Sequence, residues 1–399
     1  MKNKITLLLL LFAISSIAQD ITNNYLLVIN AYNRYNTPQK ALKYYNKNKL
    51  NTNNNIELQL SIGTTYYLIG DYKTATNIFI KANKLAPKKT YYKLAQCYAQ
   101  LNKPEFSVKY LRRYLQLKIK KMQRTIKSDV AFNKIKHTQE WKNLWQEKEW
   151  YSKYDLMLED AWYEYDLKHY NESLNILDKL NSFRKSMVEA YYLKALNYIN
   201  IYEFKNALTS INTAINKRNK VAKYYNTKAN IENKLKKYGK ALKTINIAIS
   251  LDSINIDYYF TQADIYLNNN NVTIAESIIN SLVSIVPNFN TYLLAGNIFY
   301  TEKKYQDALK YYNKCILLND STPNIYMVRG DTFFNMFAYE FAEKDYTMAL
   351  DFTPYNGELY YKRGLARKLM HKKYKACSDF NKAFRYKYLK ADEEIRKCK

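Results

Sequence analysis

The stretch that opens at Asn324 copies itself. Tyr326-x-x-x-Gly330 returns as Tyr360-x-x-x-Gly364, 34 residues on, and the same period runs through most of the chain. Counting from one in each unit, starts fall at Thr22, Ile56, Lys88, Tyr154, Val188, Ala222, Ile256, Phe289, Pro323 and Gly357, spaced 32 to 34 residues apart except across one long gap. Position 20 is then Ala41, Ala75, Ser107, Ser173, Ala207, Ala241, Ala275, Ala308, Ala342 and Ala376, always small. A helix can approach its neighbour closely only at such a residue. Position 24 is always large and apolar, from Tyr45 and Phe79 to Tyr346 and Phe380, and supplies the knob beside that gap. Position 4 is Tyr in eight of the ten units, so much of the excess of 42 tyrosines is structural.

The punctuation keeps the same register. Gly63, Gly296, Gly330 and Gly364 all fall at position 8, and Pro87, Pro287 and Pro354 at position 32, after the second helix. Pro38 and Pro104 fall at position 17 and Pro323 opens a first helix, all places where a missing N–H costs no intrahelical bond. With only seven Gly and six Pro, the chain lacks the turn residues of a many-stranded or Rossmann-like enzyme. These features resemble the tetratricopeptide repeat, a helix-turn-helix unit of about 34 residues. The resemblance spans nearly the whole chain. It departs from the family pattern in Tyr for Trp at position 4 and in Asn48, Tyr114, Leu180 and Leu282 at position 27.

The resemblance implies an all-α, right-handed α-solenoid of about ten hairpins, each unable to bury its apolar face without a neighbour. Residues 22–121 form a first array, 122–153 a helical insertion or junction, 154–390 a second array of seven units, and 391–399 a capping helix. The insertion lacks the small residue at the expected place and carries three of the four tryptophans. Phe132, Ile135, Trp141, Leu144 and Trp145 have helical spacing, and Ser128 and Thr138 are candidate caps. Two readings stand: the segment closes the first array and docks it on the second, or Trp150 and Trp162 belong to an aromatic ligand pocket.

Residues 1–18 read as a secretory signal peptide. Lys2 and Lys4 precede the apolar run Ile5 to Ile14, with small residues at Ser16 and Ala18 before the cleavage point. The expected compartment is exported: periplasmic, outer-membrane-associated or secreted. Removing the leader takes the net charge from +28 to +26, since both lysines leave and no acid does.

Catalytic signatures are missing. His137, His169 and His371 lie far apart without metal-ligand spacing, and no phosphate-binding Gly-rich loop, Gly-x-Ser-x-Gly elbow or Cys-x-x-Cys occurs, so no cofactor, metal or catalytic residue is expected. In a solenoid Cys97 and Cys315 are too far apart to pair, and Cys315 at position 27 reads as a buried thiol. Cys377 and Cys398 can bridge, tying the terminal helix down.

The resemblance implies that positions 2, 5, 9 and 12 line the concave face. Those forty positions hold three basic residues, Lys89, Lys223 and Lys368, against seven acids: Glu57, Asp155, Glu189, Asp257, Asp264, Asp331 and Glu358. The groove thus reverses the sign of the whole chain. Five of the acids occupy position 2, where the helix dipole favours them. Asp264 and Asp331, at position 9, are not so explained and are expected to face solvent. The candidate partner-binding set is Trp162, Tyr165, Asn226, Asn230, Asn233, Asp264, Asn297, Tyr300, Asp331, Phe334 and Tyr361. The expected function is a non-catalytic protein–protein interaction scaffold of the bacterial envelope. The rival reading is a basic-surface binder of anionic polymer, such as surface polysaccharide or nucleic acid, or of an anionic membrane surface; export argues against a nucleic-acid partner.

Overall fold

The computed structural model describes residues 24–52, 55–147, 149–183 and 187–398, and the expected leader at 1–18 lies outside them. The described residues form 23 α-helices and one 3₁₀ turn, with no strand among them. The chain divides into two compact bodies, Gln19–Asn268 and one that holds Asn269–Lys399. The fold is an all-α solenoid fold, with successive hairpins packed helix to helix inside each body.

In the first body the helices are α1 (Tyr25–Arg34), α2 (Pro38–Lys47), α3 (Ile56–Ile69), α4 (Tyr72–Leu85), α5 (Pro87–Gln100), α6 (Pro104–Leu115), α7 (Gln123–Ser128), α8 (Gln139–Gln146), α9 (Lys153–Asp166), α10 (Tyr170–Phe183), α11 (Val188–Asn200), α12 (Phe204–Lys217), α13 (Ala222–Lys234), α14 (Tyr238–Leu251) and α15 (Ile256–Asn268). The second body holds α16 (Val272–Ile285), α17 (Phe289–Thr301), α18 (Tyr305–Leu318), α19 (Pro323–Asn335), α20 (Tyr339–Phe352), α21 (Gly357–Leu369), α22 (Lys373–Arg385) and α23 (Ala391–Arg396).

One backbone device ends the first helix of every unit. Asn36, Gly70, Asn102, Lys168, Tyr202, Lys236, Asn270, Lys303, Phe337 and His371, all at position 15, adopt φ between 54° and 96°. That left-handed residue lets the next N–H fold back onto the helix, as Lys304 does to the Phe299 carbonyl at 2.9 Å and Ala338 to Phe333 at 2.9 Å. Only Gly70 meets the conformation without a side-chain penalty.

Packing within a hairpin couples positions 8 and 24. A Cβ placed on Gly63 would lie 2.5 Å from the Phe79 ring, on Gly296 2.4 Å from Tyr312, on Gly330 2.8 Å from Tyr346 and on Gly364 2.6 Å from Phe380. Where position 24 is aliphatic, position 8 is alanine: Ala95 with Leu111, Ala161 with Leu177, Ala195 with Ile211, Ala229 with Ile245, all fully buried. The terminal hairpin departs from this rule, with Ile29 at position 8 and Tyr45 at position 24. Where position 20 is serine, its hydroxyl donates to the position-8 carbonyl, Ser107 to Ala95 and Ser173 to Ala161, each at 2.7 Å.

The insertion packs on both of its neighbours. Ile126, Phe132, Ile135, Trp141, Leu144 and Trp150 join Tyr92, Ala95, Val108 and Leu111 of the third hairpin in one core. The Arg124 N–H donates to Glu159 of α9. Thr138 caps α8 through the Trp141 N–H. Ser128 does not cap: it is the last residue of α7, and Asp129 beside it accepts from Ala131 instead, because a carboxylate reaches the open N–H of the 3₁₀ turn at 2.9 Å. Trp150 is buried, and its Nε1–H donates to the Leu144 carbonyl at 2.7 Å, so its ring is a core element. At the far end a disulfide joins Cys377 to Cys398, and Ala391, Ile395 and Tyr388 pack against Phe380 and Ala383. Cys97 and Cys315 are buried free thiols.

Candidate functional site: an aromatic recess on the first-helix face

In the second body, α17, α19 and α21 line one recess of about 290 Å³, so that three successive units contribute to it. Its walls are Tyr300, Phe334, Tyr361 and Tyr388, with Asn335 and Leu365, and its floor is Asp331, Tyr346 and Lys362. Of the expected partner-binding residues, Tyr300, Asp331, Phe334 and Tyr361 therefore meet in one place. Asn297 stands behind them, and its Oδ1 accepts from the Tyr312 hydroxyl at 2.9 Å.

The floor is a fixed network. Asp331 Oδ1 accepts from the Tyr346 hydroxyl at 2.8 Å and Oδ2 pairs with the Lys362 ammonium at 2.7 Å. Lys362 also reaches Glu358 at 3.2 Å. Burial, then the Asp331 charge, holds the Tyr346 phenol far above its ordinary pKa, so it stays a donor. Asn335 donates to the Tyr300 hydroxyl at 2.8 Å and fixes that wall. Asp331, expected to face solvent, lines the recess half-buried and is paired there. At position 9 it is the acceptor for the tyrosine at position 24, as Asn297 is for Tyr312. In the last unit position 24 is Phe380 and position 9 is Leu365.

In the first body the expected residues are scattered over several contacts. Asp264 accepts from Asn233 at 2.8 Å and from Asn268 at 3.3 Å, and burial raises its carboxyl pKa. It too is not free in solvent, and Asn233 is itself buried. Asn226 and Asn230 are half-buried on α13, and Asn226 Oδ1 has no hydrogen-bond partner among the described residues. Trp162 packs edge-on against Tyr165, at 5.5 Å between centroids, and the Tyr165 hydroxyl accepts from Asn200.

Most acids of the groove positions are paired. Glu57 pairs with Lys89, Glu189 with Lys223 at 3.0 Å, Asp257 with Arg34, and Asp331 with Lys362. Position 6 was outside the counted set, yet its lysine turns back onto position 9 of the preceding unit. Lys362 does so to Asp331, and Lys93 to Thr64 at 2.8 Å. Asn335, Tyr346, Lys362 and Tyr388 are the site residues that the pattern of four positions missed. Tyr in place of Phe at position 24, and Lys at position 6, were the available signals.

The profile of the tetratricopeptide repeat matches residues 88–118 and 289–322, and the chain carries these repeats. Proteins built from them are generally non-catalytic scaffolds for protein–protein interaction. Human sperm-associated antigen 1 is 32% identical over 87 residues, a stretch covering 22% of this chain and 9% of that protein. Among solved structures, human IFIT1, crystallised as a dimer with m7Gppp-AAAA, superposes with a TM-score of 0.54 at 12% identity, over 93% of this chain and 85% of that one. A tetratricopeptide repeat protein from Parabacteroides merdae gives a TM-score of 0.48 at 18% identity, over 61% and 96%.

Proposed function

We propose that the protein is a non-catalytic interaction scaffold whose second-body groove grips an extended segment of a partner protein. A basic side chain of that segment sits among Tyr300, Phe334, Tyr361 and Tyr388, above Asp331. The single observation that carries this reading is the recess itself: four aromatic walls around the Asp331 carboxylate, which the Tyr346 hydroxyl and the Lys362 ammonium hold in place. Aromatic faces attract a cation, and the Asp331 carboxylate adds a charge-assisted acceptor. An extended chain laid across the three hairpins would use its side chains as anchors.

The proposed setting is the bacterial cell envelope, with the protein exported to the periplasm, the outer membrane or the exterior. The leader-like segment at 1–18 and the Cys377–Cys398 disulfide support it, since disulfides persist in oxidising compartments.

Fluorescence anisotropy with short labelled peptides tests the groove. A peptide pairing Lys or Arg with an aromatic residue should bind at least about tenfold more tightly than its Glu counterpart, and Phe334→Lys should remove that preference. Equal binding of both peptides would overturn the reading. The net charge of +28 favours a second reading, in which the basic surface binds an anionic polymer. Polymer binding should weaken steeply as salt rises and should be indifferent to Phe334→Lys.

A further inference from the structure

The first body holds a second cavity, of about 410 Å³, where the insertion meets α9 and α11. Its apolar surfaces are Tyr151, Leu158, Trp162 and the largely exposed Ile119. Its rim carries Lys118, Lys120, Lys121 and Lys223. The two carboxylates on its wall are already engaged. Asp155 accepts from the Ser152 N–H and hydroxyl in the capping box of α9, and Glu189 pairs with Lys223 and accepts from the Tyr224 hydroxyl at 2.8 Å. Lys118 and Lys121 have no carboxylate partner among the described residues, and the Lys121 ammonium is held 4.3 Å from the centre of the Tyr92 ring. The cavity therefore combines a flat aromatic wall with unneutralised positive charge at its edge.

We infer that this cavity binds a small organic anion, a planar apolar body carrying one carboxylate. The volume lies in the range of small-ligand sites, whose apolar walls supply affinity while a few polar groups set orientation. The indole of Trp162 offers the face for the planar body, and Lys118 and Lys121 receive the carboxylate. A phosphate polymer fits less well, because the rim has no arginine fork and Asp155 and Glu189 lie on the same wall. The site lies entirely within the first body and does not depend on the groove reading.

Isothermal titration of the full-length protein with two probes tests it: 2-naphthylacetate and 2-naphthylethylamine, which share an apolar body and differ in charge. The acetate should bind at one equivalent, at least about tenfold more tightly than the amine. The double variant Lys118→Glu/Lys121→Glu changes only exposed side chains and should reverse that order. A second variant, Thr125→Trp, places bulk in the cavity from its exposed edge and should abolish binding of both probes. Equal affinity for the two probes, or acetate binding unchanged in the charge-reversed variant, would overturn the assignment. So would displacement of the acetate by polyglutamate at equal carboxylate concentration, which would make the cavity part of a face for acidic chains.

Discussion

The hairpins of α9 to α14 and those of α17 to α22 share one register but solve the same packing problem with opposite residues. In the first set an alanine at position 8 meets an aliphatic knob, Ala195 against Ile211 and Ala229 against Ile245, and the contact ends inside the hairpin. In the second, a glycine opens a gap that an aromatic ring fills, Gly296 with Tyr312 and Gly330 with Tyr346. The ring is long enough for its hydroxyl to reach position 9 on the first helix. A residue of the second helix thereby sets the chemistry of the face that its own hairpin presents. The recess floor exists because Tyr346 reaches Asp331, and the aliphatic hairpins have no counterpart to it.

The difference is breakable. Tyr346→Ala should be the most damaging single change, costing about 3–5 kcal/mol, because it empties a fully buried ring site and strips Asp331 of a donor. Ile211→Ala, at the same position in an aliphatic hairpin, should cost about 2–5 kcal/mol, yet leave peptide binding untouched. Chemical denaturation of both variants, set beside anisotropy, separates the two effects. Gly296→Ala should cost about 1–3 kcal/mol through the ring overlap, and adding Tyr312→Leu should recover much of that loss. An unaltered midpoint for Gly296→Ala would break the proposed coupling of positions 8 and 24. Ala195→Gly should cost only the helical penalty of about 1 kcal/mol.

A smaller effect is pH-dependent. Burial pushes the Lys93 ammonium from 10.5 down to about 8 in the hairpin pair where Lys93 lies over Phe79. Between those values the unfolded chain binds more protons than the folded one, so stability rises with pH across the window. Lys93→Met should flatten that rise and be the more stable form at neutral pH; denaturation midpoints from neutral to alkaline pH check it. Smallest is Lys236→Gly, which relieves a left-handed residue with an exposed side chain and should gain up to about 1 kcal/mol in melting experiments.

The repeat register was legible because small and large residues alternate at helical offsets that survive the loss of the usual tryptophan at position 4. The left-handed turn at position 15 was not, since lysine, tyrosine, phenylalanine and histidine occupy it as well as asparagine and glycine. Backbone closure by the returning N–H forces the conformation, and composition cannot report it. Four groove residues are legible from positions alone, yet the pairing of Asp331 is not. Its partners lie at Tyr346, on another helix, and at Lys362, in the next unit. Counting charges within one helix cannot register neutralisation that arrives across the stack.

The central claim is that partner recognition belongs to the recess of the second body. A methyl-labelled NMR titration with the basic aromatic peptide tests it most directly, with Leu365 and Met327 reporting on α21 and α19, and Leu158 and Leu193 on α9 and α11. The account predicts saturable shifts at Leu365 and Met327, lost in Phe334→Lys, with Leu158 and Leu193 unmoved. Shifts confined to Leu158 and Leu193, or spread evenly over both bodies, would contradict it.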